Sequence, residues 1–340
     1  MSSGEGFTVH GTTSLRAVQG AAPDDRGVRC EVSGLITGER VAAVGRPVPS
    51  HLTRVHSSPR YLHGFGSAAR EIWQLRELLL ALVRKELKVK YRNSVLGFVW
   101  SLLLPISQLA VYWLVMGQFL NAGVIPYYGV FIFCGLAVWF LFAEILNGAT
   151  VAIVNNGGLV KKVYFARELF PLAATGAAIV NFLFQLTILV GATIAAGAAS
   201  GKWPDLSLLP MPIFALLDLV VFGTALGLLL AAANVYLRDI EHLITIVVML
   251  WFWFTPIIYD VGRVSKELPH ALYDVYLLNP MAPVVWSFQK FFWPQGAGTQ
   301  FDFTGSIYPR LGALFVVSLV LLWFAQRVFA RAQGNFAQEL

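Results

Sequence analysis

The stretch GVFIFCGLAVWFLFAEILNGATVAI, residues 129–153, decides the fold. Its only charged side chain is that of Glu144, and most of its other residues are apolar. An α-helix rises 1.5 Å per residue, so about 20 apolar residues cross the roughly 30 Å hydrocarbon core of a bilayer. The stretch therefore predicts a membrane-spanning helix and not an element of a soluble domain.

Similar stretches recur along the chain, and together they predict an all-α integral membrane protein with six transmembrane helices. The 57% share of hydrophobic residues and the 13% share of charged residues support this class, because soluble domains average about 45–50% and 25%. Pro256 lies near the outer end of the fifth stretch, where we expect a kink or break. The transmembrane domain covers residues 96–330, with spans at about 96–120, 129–153, 172–197, 208–233, 241–259 and 310–330.

The segment between the fifth and sixth spans, residues 260–309, is too long for a simple turn. It contains apolar runs such as NPMAPVVWSFQKFFW, residues 279–293, which are too short to span and are interrupted by proline. These features predict short re-entrant or interfacial helices.

Basic residues orient the chain, because short cytosolic loops carry an excess of Lys and Arg. The cluster at 84–92, Lys161, Lys162 and Arg238 all fall on one side of the predicted spans. We therefore expect a multi-pass membrane protein with both termini in the cytosol. The Ala-, Gly- and Arg-rich composition is typical of a bacterial protein, for which the membrane would be the bacterial inner membrane. In this arrangement the basic residues behind the net charge of +6 lie beside the spans, where they attract anionic lipid headgroups. The charge therefore does not indicate nucleic acid binding.

The two ends of the chain differ from the spans in composition. Residues 1–65 are rich in Gly, Ser, Pro and Thr, with no signal peptide and no sustained helical period, which predicts a largely disordered cytosolic tail. Residues 331–340 are predicted to be a cytosolic C-terminus.

Residues 66–95 predict an amphipathic helix before the first span. Leu75, Leu79 and Leu82 fall on one face at 100° per residue, with charged residues opposite. Each Lys or Arg at the bilayer centre costs about 2.5–3.5 kcal/mol, so this helix should lie in the cytosolic interface.

Arg84, Lys88 and Arg92 follow one another at four-residue spacing on this helix and form a cationic row. Such a row suits a diphosphate group, which accepts several charge-assisted hydrogen bonds. Plain attraction to anionic phospholipids is the alternative.

The sequence has no motif of a catalytic, metal or nucleotide site. The phosphate-binding pattern GxxxxGK[ST] is absent, as are HExxH, GxSxG and clustered Cys and His residues. Cys30 and Cys134 are too few for a disulfide framework and lie in different environments, so no bridge is predicted. We expect no catalytic residue, no metal and no cofactor in this chain.

Several segments in order resemble the permeases of type-2 ABC transporters that export polysaccharides, the O-antigen, teichoic-acid and galactan export family. These segments are RELLLALVRKELKVKYRNSVLGFVWSLLLPISQLAVYWLVM (76–116), LAVWFLFAEILNGATVAIVNNGGLVKKVYFARELFPL (136–172), NVYLRDIEHL (234–243), TPIIY (255–259) and LLNPMAPVV (277–285). The resemblance covers residues 71–330 and does not extend into the first 65 residues.

The resemblance implies a homodimer that moves a lipid-linked polysaccharide, carried on polyprenyl diphosphate, out of the cytosol. It also implies two copies of a cytosolic ABC ATPase subunit, which bind ATP and Mg²⁺, so that the permease itself is not an enzyme. A glycan is about as wide as a helix, and one six-helix bundle with a filled core cannot pass it, whereas two half-channels can.

Two predicted cytosolic loops are candidate contacts for the ATPase. In the family, the stretch matching NNGGLVKK forms a short coupling helix that docks in a cleft of the ATPase. The residues assigned to docking are Asn156, Gly157, Gly158, Leu159, Val160, Lys161 and Lys162, with Arg238 and Asp239 in the second loop. An ordinary positive-inside turn is the alternative for the first loop, and helix capping is the alternative for the second.

Aromatic residues are the third candidate set, because flat rings offer weak, repeated contacts to sugar rings. Membrane-interface belts and core packing explain such residues equally well. The predicted channel-lining residues are Trp100, Tyr112, Trp113, Trp139, Phe140, Trp251 and Phe254.

Glu144 and Asp218 are acids within predicted spans, and an intramembrane acid is a candidate functional group. Neither has a basic partner within its own helix. Proton coupling and structural or pore-lining polarity are the two explanations.

Three alternatives to polysaccharide export stay open from the sequence. A type-2 ABC drug or lipid exporter shares the topology, and a structural anchor for a synthase complex shares the spans. A membrane-embedded glycosyltransferase would need a convergent pair of carboxylates, which the sequence does not reveal.

Overall fold

The computed structural model describes residues 73–90, 99–119, 125–161, 166–262, 264, 269–298 and 306–340. These residues are almost all helical and contain no strand, which confirms the all-α class. The predicted tail at 1–65, the predicted helix start at 66–72 and the stretch 91–98 lie outside the described residues.

The first described helix, α1 (Arg76–Lys90), is the amphipathic one. Leu82 is buried, and Leu75, Leu79 and Val83 are partly buried against the hydrophobic cluster that also contains Phe170. One methyl group of Val83, Cγ2, approaches Gly176 on a later helix so closely that a Cβ added there would lie 2.7 Å from it. The apolar face of α1 is thus packed on the helical bundle itself.

Among the described residues, five helices are long and apolar enough to cross a membrane. The first is α2 (Val99–Tyr112), which continues as a π-helical stretch (Trp113–Phe119). The others are α3 (Tyr128–Asn155), α5 (Leu169–Ser200), α6 (Pro210–Tyr236) and α10 (Ile307–Ala332). A short helix, α4 (Gly157–Val160), lies between α3 and α5.

A sixth apolar helix, α7 (Ile240–Trp253), has 14 residues. At 1.5 Å per residue it is about 21 Å long, which is less than the hydrocarbon core. It ends at Trp253, shortly before Pro256, the residue at which the sequence predicts a break. After this end come α8 (His270–Leu277) and α9 (Met281–Phe292), the short helices expected in this segment.

Helix α3 is the centre of the bundle and packs against α5, α6 and α9. Phe133, Phe142 and Ile145 are fully buried side chains of this helix. Gly227 on α6 faces Ala149 on α3, and a Cβ at position 227 would lie 2.7 Å from the Ala149 methyl group. Small residues at this crossing let the two helix backbones approach closely, as is common between transmembrane helices.

The bundle has two ends, named here by a residue of each. The Asn156 end is where α3 and α6 finish and where α5 and α7 begin. The Asn279 end carries α8 and α9, the start of α3 and the start of α10. At the Asn156 end, α10 is followed by a final short helix, α11 (Phe336–Glu339).

Candidate functional site

The first predicted docking loop forms the single helical turn α4 at the Asn156 end. Leu159 is 38% exposed although it is apolar, whereas its neighbour Val160 is buried. Gly158 is exposed and has open space around the position of a Cβ. Lys161 is exposed, and Lys162 lies outside the described residues. The loop therefore presents one apolar side chain outward and fixes another inward.

Asn156 is buried and anchors this loop to α1. Its Nδ2 donates to the carbonyl oxygen of Ala152 at 2.8 Å and to Oε1 of Glu86 at 3.3 Å. Its Oδ1 accepts a hydrogen bond from Nζ of Lys85. The sequence assigned Asn156 to the docking set, but its side chain points toward α1, so it supports the loop from the inside.

The second predicted docking loop joins α6 to α7. Arg238 and Asp239 are exposed. Asp239 is the residue before α7, yet its side chain makes no capping hydrogen bond. The capping explanation therefore does not hold for Asp239, and this carboxylate is presented at the surface.

Asn234, which is fully buried, holds the second loop against α3. Its Nδ2 donates to the carbonyl oxygen of Thr150 at 3.1 Å, and its Oδ1 accepts from the backbone N–H of Glu241 at 3.2 Å. Both loops are thus attached to the last two turns of α3. The sequence analysis did not identify Asn234 as a functional residue, although an Asn at a helix end before a polar loop is a recognisable signal.

The basic residues of α1 differ in what their side chains contact. Arg84 and Lys88 are exposed one turn apart. Lys85 instead bonds Asn156, and Lys90 bonds an acid of α3. Arg92 lies outside the described residues. Arg84 and Lys88 therefore remain the described pair of side chains that can reach an anionic headgroup together.

Glu144 has a basic partner on another helix. Nζ of Lys90 lies 2.5 Å from Glu144 Oε1, and the same oxygen accepts a hydrogen bond from Nδ2 of Asn181 on α5. The side chains of Lys90 and Glu144 are 46% and 26% exposed. An acid in the central helix is thus paired with the end of the amphipathic helix.

Asp218 is fully buried between α6 and α10. Its Oδ1 accepts a hydrogen bond from Oγ of Ser318 at 3.1 Å, and its Oδ2 is buried without a hydrogen-bond partner. The carboxyl group joins two helices that pack closely along their length. This contact favours a structural role over proton coupling.

The predicted channel-lining aromatic residues fall into three groups. Trp100, Trp113 and Phe254 are exposed, with 66% of Phe254 uncovered. Trp139 is buried, with its ring in edge contact with Trp251 and Phe252 at 6.4 and 5.7 Å between centroids. The remaining three, Tyr112, Phe140 and Trp251, are partly buried.

A stacked pair joins α2 to α7, because the rings of Tyr112 and Phe252 lie 5.6 Å apart with an interplanar angle of 22°. The contact places the exposed Trp113, next to Tyr112, and the exposed Phe254, two residues after Phe252, on neighbouring helices. The structure thus brings α2 and α7 together through their aromatic residues.

Asn279, which the sequence analysis did not select, joins the end of α7 to the start of α9. Its Oδ1 accepts from Nε1 of Trp251 and from the backbone N–H of Met281, each at 3.0 Å. Its Nδ2 donates to the carbonyl oxygen of Phe254 and to Oγ1 of Thr255, each at 3.0 Å. One amide side chain therefore connects the residues at the end of α7 to the start of α9 by hydrogen bonds.

A second link lies beside it. The hydroxyl of Tyr276 donates to that of Tyr259 at 3.2 Å, and the hydroxyl of Tyr259 donates to the carbonyl oxygen of Trp253 at 2.9 Å. Burial raises the pKa of Tyr276, so its hydroxyl stays protonated and remains a donor. Two independent links thus tie the segment of α8 and α9 to the end of α7.

The known proteins similar to this chain agree on its class. The family model for the ABC-2 type transporter matches residues 77–293. The O-antigen export system permease protein RfbA of Myxococcus xanthus is 33% identical over 271 residues, which is 80% of this chain and 98% of the relative. A protein of the same name from Klebsiella pneumoniae is 26% identical over 268 residues, 78% of this chain and 96% of the relative.

The match includes α1, the docking loop and the break after α7, all within one continuous alignment region. Together with five candidate spans and a shorter apolar helix, it identifies a multi-pass membrane permease. The chain belongs to the ABC-2 type transporter family.

Proposed function

We propose that this chain is the permease subunit of an ATP-driven exporter that moves a lipid-linked polysaccharide outward across the bacterial inner membrane. The observation that carries the proposal is the docking loop. It exposes Leu159 on a turn that Asn156 fixes to α1, the helix that carries the exposed cations. The relatives named as O-antigen export permeases support the substrate class.

The energy source is proposed to be a separate cytosolic ATPase, present in two copies, which binds ATP and Mg²⁺. The exposed part of Leu159 favours a protein partner, because covering the remaining 38% of this side chain gains about 0.5–1 kcal/mol. Arg238 and Asp239 are exposed on the second loop and supply the polar part of the contact. On this proposal the Asn156 end faces the cytosol, and its basic residues support that orientation.

The subunit is proposed to work as a homodimer. The core around α3 is filled by large side chains, among them Phe142 and Ile145, so a glycan has no route through the centre of the described bundle. Helix α2, by contrast, is little covered by the rest of its own chain. Two subunits facing each other through α2 and α7 would enclose a path between them.

Exposed rings on that surface suit a sugar polymer. Trp100, Trp113 and Phe254 offer flat apolar faces, and such faces hold sugar rings weakly enough to let a polymer slide. Tyr112, Phe140 and Trp251 lie behind them, and the buried Trp139 supports their packing. Arg84 and Lys88, with Arg92, are proposed to gather the diphosphate of the lipid carrier at the inner leaflet.

The test is a deletion strain complemented with variants of this chain. Loss of the chain should leave lipid-linked polysaccharide on the cytosolic face of the membrane and remove it from the cell surface. The wild-type chain should restore surface polysaccharide. It should not restore it in a strain whose partner ATPase has an inactive nucleotide site, and this pair of results would support the proposal. Normal surface polysaccharide in the deletion strain, or transport of a drug substrate in its place by the reconstituted complex, would overturn it.

A further inference from the structure

The segment that follows α10 folds back onto the docking loop. This segment, residues 333–340, is called the hook here, and it contains α11. Its backbone turns after Ala332, whose carbonyl oxygen accepts from the N–H of Asn335 at 3.2 Å. The turn directs α11 toward α4, which it contacts, and toward the end of α6.

Phe336 fixes the hook in place. It is fully buried, and its ring makes edge contacts with Phe329 on α10 at 5.4 Å and with Tyr236 on α6 at 6.1 Å between centroids. The burial of this ring indicates that the hook has a fixed position. A buried aromatic side chain removes a large apolar area from water, and its ring contacts add further stabilisation that a solvated segment would lack.

Two hydrogen bonds attach the start of the hook to Tyr236 on α6 and to Arg167 before α5. The hydroxyl of Tyr236 donates to the carbonyl oxygen of Ala332 at 3.0 Å. The guanidinium group of Arg167, which precedes α5, donates to the carbonyl oxygen of Gln333. The hook is therefore attached to the connection between α3 and α5 and to the start of the connection between α6 and α7.

Leu340 completes the arrangement by covering Gly157. A Cβ built on Gly157 would lie 3.8 Å from Cδ2 of Leu340 and 3.9 Å from its Cβ, which is ordinary van der Waals contact. The next residue, Gly158, has nothing within 4 Å of the corresponding position. The hook therefore covers one side of the α4 turn and leaves the side of Leu159 open.

We propose that the hook is a positioning element that holds the α4 turn in the orientation presented to the ATPase. Asn156 ties the loop to α1, and Leu340, the residue after α11, contacts the loop at Gly157. A four-residue turn has too few internal hydrogen bonds to keep one orientation by itself. The distances between Leu340 and Gly157 support the contact between hook and loop. The effect of this contact on ATPase docking rests on the proposed function.

A cysteine pair tests the geometry in the permease alone. A chain with Cys30→Ser and Cys134→Ala receives Gly157→Cys together with Leu340→Cys. Disulfides require a Cβ to Cβ distance of about 3.5–4.5 Å, so this pair should cross-link readily under mild oxidation. The matched pair Gly158→Cys with Leu340→Cys should cross-link much more slowly. Equal rates for the two pairs, or no bond in the first, would overturn the proposal.

The consequence is tested with Phe336→Ala and with the milder Leu340→Ala. Both should raise amide hydrogen exchange across residues 157–161 of the permease alone, with membrane insertion retained. Phe336→Ala should also weaken ATPase association by about tenfold, as expected from the loss of two aromatic contacts. Unchanged exchange in both variants would overturn the proposal. Altered exchange beside a wild-type chain that recruits no ATPase would overturn the proposed docking and leave the positioning role supported.

Discussion

Lys90 and Glu144 form an ion pair between the end of the amphipathic helix and the central helix of the bundle, with 2.5 Å between Nζ and Oε1. Because both side chains are partly exposed, the pair contributes only about 0–1 kcal/mol to folding. Its larger effect is to fix where α1 ends relative to α3. That position sets where the exposed cations of α1 meet the membrane.

Glu144→Gln should therefore lower export more than it lowers stability. The substitution keeps an acceptor for Asn181 but removes the negative charge that Glu144 places beside Lys90. Export of polymer and thermal unfolding of the purified protein are measured side by side. The exchanged pair Lys90→Glu with Glu144→Lys should recover part of the lost transport.

A measurement on the wild-type complex distinguishes a structural ion pair from proton coupling at Glu144. With ATP present and the proton gradient dissipated, the wild-type complex should continue to export. Export that stops when the gradient is removed would return Glu144 to the role of a proton carrier.

Asn156→Ala should loosen the docking loop. The substitution removes the hydrogen bonds to Ala152, Glu86 and Lys85, and the loss of a buried polar partner costs about 1–3 kcal/mol. Hydrogen exchange at α4 should rise and ATPase association should fall. Asn155→Ala is the matched control, because Asn155 is exposed at the adjacent position. An equal effect of both substitutions would count against the anchoring role.

Leu159→Asp and Val160→Asp should fail in different ways. Leu159 is 38% exposed, so its replacement should leave the fold intact and remove association with the ATPase. Val160 is 3% exposed, and a carboxylate there should destabilise the protein by several kcal/mol, since a buried charge without a partner is costly. Yield of folded protein and co-purification of the ATPase distinguish the two outcomes. Intact association in Leu159→Asp would remove Leu159 from the docking surface.

Asn279→Asp should distinguish the hydrogen bonds that Asn279 accepts from those that it donates. The carboxylate keeps an acceptor for Trp251 and Met281 but loses the donor that serves Phe254 and Thr255. We expect a loss of roughly 1–3 kcal/mol, with a larger loss for Asn279→Ala. Unfolding midpoints give the comparison, with the exposed Asp274→Ala as control. Identical midpoints for all three variants and the wild type would contradict the link.

Trp113→Ala and Trp139→Ala should differ in the property they change. Trp113 is 47% exposed, so its loss should slow polymer export and spare the stability. Trp139 is 4% exposed, and its truncation should cost about 3–5 kcal/mol, the usual range for a large aromatic residue in a core. Export rates normalised to folded protein, together with the stability of each variant, distinguish the two outcomes. A normal rate for Trp113→Ala would argue against contact of this ring with the polymer.

Sequence reasoning reached the fold class because long apolar stretches are local signals. The exposed Leu159 within a glycine-rich turn was also visible, since an apolar residue in a polar loop stands out against its neighbours. Sequence could not reveal the partner of Glu144, because Lys90 lies 54 residues away and becomes adjacent only when α1 packs on the bundle.

The same limit explains Asn156 and Asn279, whose importance depends on what surrounds an ordinary amide. The aromatic residues show a further limit. Trp113 and Trp139 have the same hydrophobicity, yet one is exposed and the other is in the core. In a membrane protein, both lipid and the protein interior accept apolar rings, so hydrophobicity does not separate the two positions.

The short length of α7 has a consequence for the membrane around the protein. Helix α7 is about 21 Å long, so it ends before it has crossed a hydrocarbon core of roughly 30 Å. The remaining depth is left to the irregular backbone after Trp253 and to α9, where hydrophobic mismatch acts directly. We therefore predict that the export rate changes when the purified complex is placed in bilayers of different thickness.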